Sequence, residues 1–328
     1  MKSSRPSEYL ISMAITPRQR IDDKDEAGAA GDEDDLFAHP VAIERPDRIR
    51  FPFVFSSPHS GRIYPRSFVT ASNLDPVTLR RSEDSFVEEI FGGVKSLGAP
   101  LIHARFPRAY LDANREPYEL DPGMFADPLP PHVNTRSLRV AGGLGTIARV
   151  VADSTEIYRG PLPYAEAERR IRQLYMPFHE ALRGLLEEAH TIFGWSVLID
   201  CHSMPSVGGP ADDDRGADRP DIVLGDRYGT SCASELTSEV ENKLRKLGYS
   251  VARNNPYAGG FNTEHYGRPH RGLHALQIEI NRALYMDEAR LERGAGLARL
   301  KADMTALAAH LATLDLASIE SSARGAAF

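Results

Sequence analysis

The chain has 328 residues, 41% of them hydrophobic and 26% charged, and a net charge of −7. That is the balance of an ordinary globular protein, long enough for one large α/β domain or two small ones. The acidic balance argues against nucleic acid or an anionic membrane surface as the main partner, and no apolar run reaches the roughly 18 residues of a membrane span. The two cysteines, Cys201 and Cys232, make no disulfide framework and fit a reducing compartment. The N-terminus has no apolar segment followed by a small-residue cleavage site, so a cytoplasmic protein without a secretory signal is expected. Nothing in the composition fixes the oligomeric state.

Residues 1–48 read as a tail. Residues 24–35 are rich in Asp, Glu, Gly and Ala with little to bury, and only residues 10–15 have the makings of a short strand or helix turn. Folding is expected to begin at Phe51-Pro-Phe-Val-Phe55, an aromatic and β-branched strand that ends in the turn cluster Ser56-Ser-Pro-His-Ser-Gly61. Leu79, Phe86, Ile90, Val94 and Leu97 then repeat at near-helical spacing over residues 76–97, with Gly98 as the stop. Residues 99–106 read as a strand leading into Pro107-Arg-Ala-Tyr-Leu-Asp-Ala-Asn-Arg115. Residues 116–131 are Pro-rich loop. Gly142-Gly-Leu-Gly145 lacks both the spacing and the preceding strand of a phosphate-binding loop, which argues against nucleotide binding.

An apolar stripe of Ile171, Leu174, Tyr175, Phe178, Leu182 and Leu185 predicts a helix over residues 164–193, kinked or split at Pro177. Val197, Leu198 and Ile199 form an apolar run typical of a strand covered on both faces. Asp200, Cys201, His202 and Ser203 arrive where that strand is expected to stop, and Met204-Pro205 and Gly208-Gly209-Pro210 bar regular structure beyond it. Residues 211–218 read as an exposed acidic loop, 221–226 as a short strand, 231–247 as a helix and 249–253 as a strand. Residues 254–271 form a loop of about 18 residues, longer than the roughly 12–15 above which loops are usually functional or disordered. From His274 to Ile280 the pattern alternates, with Leu276, Ile278 and Ile280 on one face and Gln277 and Glu279 on the other. A helix is expected over 287–314 and a frayed end over 316–328, leaving one domain over 49–315. Strands alternating with helices predict an α/β protein with a mixed, mostly parallel central sheet covered by helices on both faces.

Polar residues collect at the expected strand ends: His59, the Arg108 to Arg115 cluster, His202 and Glu279. In such sheets the carboxyl ends of strands are where ligands bind. Two histidines on separate strands and one carboxylate suit a zinc ion with an open position for water. Cys201 is expected to point away from its neighbour His202, which leaves Glu83 or Asp84 as the acidic ligand. Glu279, on the polar face of an apolar strand, suits the group that moves the proton, or else a solvent-facing charge on an edge strand. Asn114 and Arg115, with Arg108, present planar donors suited to a substrate carboxylate, or else structural ion pairs with Asp112 or Glu116.

The ordered set Ser57-Pro-His-Ser-Gly61, Glu83-Asp84, Arg108-Ala-Tyr-Leu-Asp-Ala-Asn-Arg115, Gly145-Thr-Ile-Ala-Arg149, Asp200-Cys-His-Ser203, Gly259-Gly260 with Tyr266-Gly267, and Leu276-Gln-Ile-Glu-Ile-Asn-Arg282 resembles the N-formylglutamate amidohydrolase family. The match runs over about residues 50–285. It implies a fold like that of zinc carboxypeptidases and aspartoacylase, and hydrolysis of an N-formyl or short N-acyl amino acid, as in histidine degradation. Carried over by position, His59 and His202 match the histidine ligands of Zn2+, Glu279 the general acid/base, and Asn114-Arg115 the pair holding a substrate carboxylate. The carboxypeptidase pattern has Glu three residues after the first His, and here that position is Arg62, so Asp84 is favoured as third ligand with Glu83 as alternate. Arg149 or Arg108 would hold a second carboxylate. Tyr257 or Tyr266 would reach the substrate as the 254–271 loop closes on Gly259-Gly260, and Asp200 would orient a ligand from behind. A zinc carboxypeptidase-like enzyme or N-acetyl amino acid deacylase, and a non-catalytic α/β binding module, are the competing readings.

Overall fold

The computed structural model describes residues 30–31, 33–151, 155–210 and 212–314. Residues 10–15 and the end at 316–328 lie outside them. Seven strands form the central sheet: β1 (Val41–Glu44), β2 (Phe53–Ser57), β3 (Leu101–Ala104), β4 (Ser196–Met204), β5 (Ile222–Gly225), β6 (Val251–Arg253) and β7 (Leu273–Asn281). Their order is β6-β5-β7-β4-β2-β3-β1. Strands β2, β3, β4 and β7 run parallel. β1 lies antiparallel to β3, and β5, parallel to β6, lies antiparallel to β7. The mixed, mostly parallel α/β architecture is the one the sequence predicts.

Each face of the sheet has its own core. Phe53, Phe55, Val197, Ile199, Cys201, Leu276, Ile278 and Ile280 pack under helices Val87–Phe91, Ser234–Lys246 and Leu297–Leu311. Val54, Ile102, Leu198 and Ala275 pack on the other side under helices Tyr164–Arg170 and Met176–Phe193. The alternation read at 274–280 is therefore real, and both of its faces are buried.

Several local expectations are corrected. The tail does not extend to residue 48: helix Glu33–Ala38 buries Leu36 completely, and β1 completes the sheet edge through backbone pairing with β3. The strand is only four residues long and pairs on one side through its backbone, which leaves no extended pattern in the sequence. Residues 76–97 form three short helices, Pro76–Arg80, Val87–Phe91 and Val94–Leu97, rather than one. The first break spans residues 81–86 and ends at Phe86, whose φ of 67° no helix interior permits, and the second falls at Gly92-Gly93. Pro177 does not split its helix, because the turn before it is widened: Met176 N–H donates to Ile171 C=O five residues back, and Pro177 falls in the first turn of the next segment. The 254–271 stretch contains helix Phe261–Tyr266 and the short turn Pro269–Arg271. Residues 286–293 pair as a small hairpin before helix Leu297–Leu311 begins. Finally, β4 does not end at Ile199. It runs to Met204, so Asp200 and His202 sit inside a strand and not in a turn.

Candidate metal centre and active site

The site is built at the carboxyl ends of β2, β4 and β7. Period-two geometry puts Asp200 and His202 of β4 on the face of Leu198, and Gln277 and Glu279 of β7 on the face of Ala275, while Cys201 turns into the opposite core. Parallel register sets Glu279 beside His202 and Gln277 beside Asp200. His59 follows β2 in a turn pressed against the end of β3. Gly61 permits this, since a Cβ there would stand 2.2 Å from the Phe106 carbonyl oxygen. Asp84 N–H donates to His59 C=O at 3.1 Å, so the backbone itself ties the turn to the segment between helices that carries Asp84.

His59, Asp84 and His202 each present one donor atom, and these atoms lie within 4.8 Å of one another. Nδ1 of His59 and Nδ1 of His202 lie 3.3 and 3.0 Å from the same Asp84 oxygen, Oδ2. All three residues are no more than 2% exposed. The far ring nitrogens are committed: His59 Nε2 lies 2.7 Å from Asp112 Oδ1, and His202 Nε2 lies 2.9 Å from Asp200 Oδ2. A carboxylate behind each imidazole fixes the Nε2–H tautomer and turns the Nδ1 lone pair inward, the arrangement typical of metal-binding histidines. Among the described residues none hydrogen-bonds the buried His59 Nδ1, with Asp84 Oδ2 near it but not bonded, an unusual cost that a cation would remove. The donor set therefore fits a divalent metal. The charges agree: burial opposes protonation of His202, yet Asp200 and Asp84 raise its pKa well above the ordinary value, so the pocket draws positive charge.

Of the two acidic candidates only Asp84 reaches the site. Its Oδ1 accepts from Arg282 Nη2 at 3.1 Å and from Ser203 Oγ at 3.4 Å, which leaves Oδ2 for the histidines. Burial alone would raise this carboxyl, but the two histidines hold it well below the usual range. Glu83 faces away, accepting from Tyr64 Oη at 2.6 Å, Arg80 Nε at 2.9 Å and Ser85 Oγ at 3.0 Å, so its alternate assignment is withdrawn.

Glu279 is buried and receives Gln277 Nε2 at 2.8 Å on Oε1. Burial, reinforced by the negative Asp84 and moderated by His202, Arg108 and Arg282, pushes its pKa up to about 7. It opens on a cavity of about 930 Å3 that also exposes His59, His202, Arg108, Asn114 and Arg115. Arg108 donates to Asp112 Oδ2 at 2.9 Å. Arg115 donates to the carbonyls of Leu144 and Asn114, each at 2.8 Å, and burial pulls its pKa down to about 10. Asn114 sits at the cavity wall with its amide engaged: Oδ1 accepts from Asn262 N–H at 2.8 Å and Nδ2 lies 3.4 Å from Asp200 Oδ2. The chain passes this close only because residue 260 is glycine, whose Cβ would fall 2.4 Å from Asn114 Nδ2.

Two expected substrate contacts are not part of this wall. Arg149 pairs with Asp121 at 2.8 Å and Glu156 at 3.0 Å and does not line the cavity. Tyr266 Oη is bonded at 2.8 Å to Nδ1 of His179, whose Nε2 donates to Ala113 C=O, so it serves packing beneath the site. Tyr257 does line the cavity. Sequence reasoning missed the supports: Asp112, seen only as an ion-pair partner for Arg115, and Asn262, which donates to Asp200 Oδ1 at 3.1 Å. Their Asp and Asn identities were visible, but their partners are 53 and 62 residues away in sequence.

Fold and site together define an α/β protein with a buried His-Asp-His centre, a neutral-range carboxyl beside it and a basic cavity. The chain belongs to the N-formylglutamate amidohydrolase family, whose model matches residues 51–286. A crystal structure of N-formylglutamate amidohydrolase from Ralstonia eutropha is 38% identical and superposes with a TM-score of 0.77, covering 83% of this chain and 97% of that one. The N-formylglutamate deformylase of Pseudomonas aeruginosa is 29% identical over 245 residues, which span 74% of this chain and 84% of that protein. A gene product of Agrobacterium tumefaciens, 19% identical with a TM-score of 0.59 over 84% of this chain and 98% of its own, shares the fold.

Proposed function

We propose that this chain is a zinc-dependent amidohydrolase of short N-acyl amino acids, cleaving N-formyl-L-glutamate and water to L-glutamate and formate. The observation that carries the reading is the convergence of His59, Asp84 and His202 beside the buried carboxyl of Glu279. Two imidazoles and one carboxylate are a ligand set of catalytic zinc with an open position. Zinc bound there would polarise the scissile carbonyl and acidify the attacking water.

The chain's own residues do the rest. Asp112 and Asp200 accept the Nε2 protons and so hold both rings with Nδ1 turned toward the metal position. Glu279, poised near neutrality, takes a proton from water and delivers it to the departing nitrogen. The water oxygen ends in formate and its proton on the amine, so the Glu279 carboxylate is regenerated. Arg115, with Arg108 at the same wall, holds the α-carboxylate of a small anionic substrate. The relatives' names support the N-formylglutamate assignment. The reaction suits histidine degradation in the cytoplasm, a compartment in keeping with two buried, unpaired cysteines.

The test is metal content combined with product release. Purified protein should hold about one zinc per chain and release formate from N-formyl-L-glutamate in preference to acetate from N-acetyl-L-glutamate or amino acids from dipeptides. Activity indifferent to zinc removal and return, or acetate or peptide cleavage in place of formate release, overturns the reading.

A further inference from the structure

The cavity wall exposes five arginines, Arg81, Arg108, Arg115, Arg139 and Arg282, in a chain of net charge −7. Four of them are engaged. Arg108 is paired with Asp112, Arg282 with Asp84, and Arg115 lies 3.5 Å from Asp112 while bonding two carbonyls. Arg81 also has a partner. Arg139 forms no ion pair with any described residue, although it is partly buried. Partial burial of a cation without a counterion is unfavourable, and the cost is offset when an anion arrives.

The surrounding backbone explains why the charge is held there. Ser137 caps the short helix Leu138–Ala141. Leu144 N–H closes the turn onto the Arg139 carbonyl at 2.8 Å, and Leu144 C=O accepts from Arg115 Nε at 2.8 Å. The Gly142-Gly-Leu-Gly145 stretch thus forms a rim that carries Arg139 on the same wall as Arg115. Arg139 is close enough for its charge to bear on Arg115. Two neighbouring cations, one already committed, repel each other until a doubly charged ligand lies between them.

We propose that Arg139 binds the second carboxylate of a dianionic substrate, the side-chain carboxylate of an N-formyl acidic amino acid, and thereby sets the preference of this cavity for acidic over neutral side chains. The assignment rests on the amidohydrolase reading for the identity of the substrate, and replaces Arg149 and Arg108 in that role. Arg139 is a specificity residue: it does not touch the scissile bond, so its loss acts on binding and leaves turnover of neutral substrates in place.

The experiment compares wild type, Arg139→Ala, Arg139→Gln and, as a charge control outside the cavity lining, Arg136→Ala. Zinc-loaded proteins are titrated calorimetrically with L-glutamate and its neutral isostere L-glutamine, and formate release is followed from N-formyl-L-glutamate and N-formyl-L-glutamine. Wild type and Arg136→Ala should favour the glutamate member of each pair. Both Arg139 variants should weaken the glutamate member by roughly tenfold to a hundredfold, the scale of a charge-assisted contact, and change the glutamine member by less than about threefold. A wild type without that preference or without glutamate binding, a preference that survives in the variants, or an equal loss on both ligands overturns the role of Arg139. Arg139-dependent glutamate binding without formate release from either substrate sustains it and overturns the amidohydrolase reading instead.

Discussion

Strands β4 and β7 present two faces of equal burial and opposite chemistry. On one, Ile199, Cys201, Leu276, Ile278 and Ile280 are fully buried in an apolar core. On the other, Asp200, His202, Gln277 and Glu279 are no more than 8% exposed. The first face contributes stability through apolar area removed from water. The second contributes little net stability, because each charged group must be desolvated and paired. It survives because its partners are supplied: Asn262 for Asp200, Asp84 for His202 and Gln277 for Glu279. One pair of strands thus anchors the donors with one face and displays them with the other, and a one-residue slip in register would exchange the two.

That division can be broken from either side. The largest effect is expected from Glu279→Gln, which should lower kcat by about 10²–10⁴-fold while zinc content, measured by atomic absorption, stays at the wild-type level. Loss of zinc would move Glu279 into the ligand set. On the apolar face, Ile278→Ala should cost about 2–5 kcal/mol of unfolding free energy in urea. Its kcat/KM at low temperature should stay within a few-fold of wild type, and a collapse of activity without a stability change would mean that the two faces are not separable.

Asp112→Asn and Asp200→Asn test whether the two imidazoles are supported alike. Each should weaken zinc binding about 10–100-fold in competition with a chelator, and Glu83→Gln should leave it unchanged. A large effect from Glu83→Gln would overturn the choice of Asp84.

The smallest effect concerns His179 beneath the site. Burial lowers its pKa from about 6.5 to about 4. The unfolded chain therefore takes up the proton more readily, and the stability present above about pH 6.5 is lost as the pH falls toward 4. Between pH 7 and pH 5 this residue should account for about 2 kcal/mol of the decline in unfolding free energy. His179→Gln should remove that part of the slope, and an unaltered slope would show that His179 is not held neutral.

Much of the sheet was legible because buried strands carry their own pattern. The runs at 51–55, 99–106, 197–199 and 274–280 all became strands. The edge strand Val41–Glu44 was not, since its hydrogen bonds to β3 leave no mark on composition and the preceding helix buries a single side chain, Leu36, completely. In the site, His59, His202 and Glu279 were visible as residue types at strand ends and Asp84 as an acidic neighbour in the helical segment after His59, and the fold brings them together. Arg149 and Tyr266 were misjudged because nothing local signals that Asp121 and Glu156, or His179, are waiting for them.

The amino-acid order alone determined the alternation of β7, the inward turn of Cys201 against the opposite turn of His202, and a supply of imidazole, carboxylate and guanidinium groups near strand ends. These follow from the two-residue period of a strand, which is local. Only the tertiary structure decided which of the adjacent Glu83 and Asp84 meets the histidines, which ring nitrogen faces inward, and which arginine at the cavity forms no ion pair with a described residue. Those choices depend on partners such as Asp112 for His59 and Asp84 for His202, 53 and 118 residues apart along the chain. Their approach is set by the packing of the whole sheet.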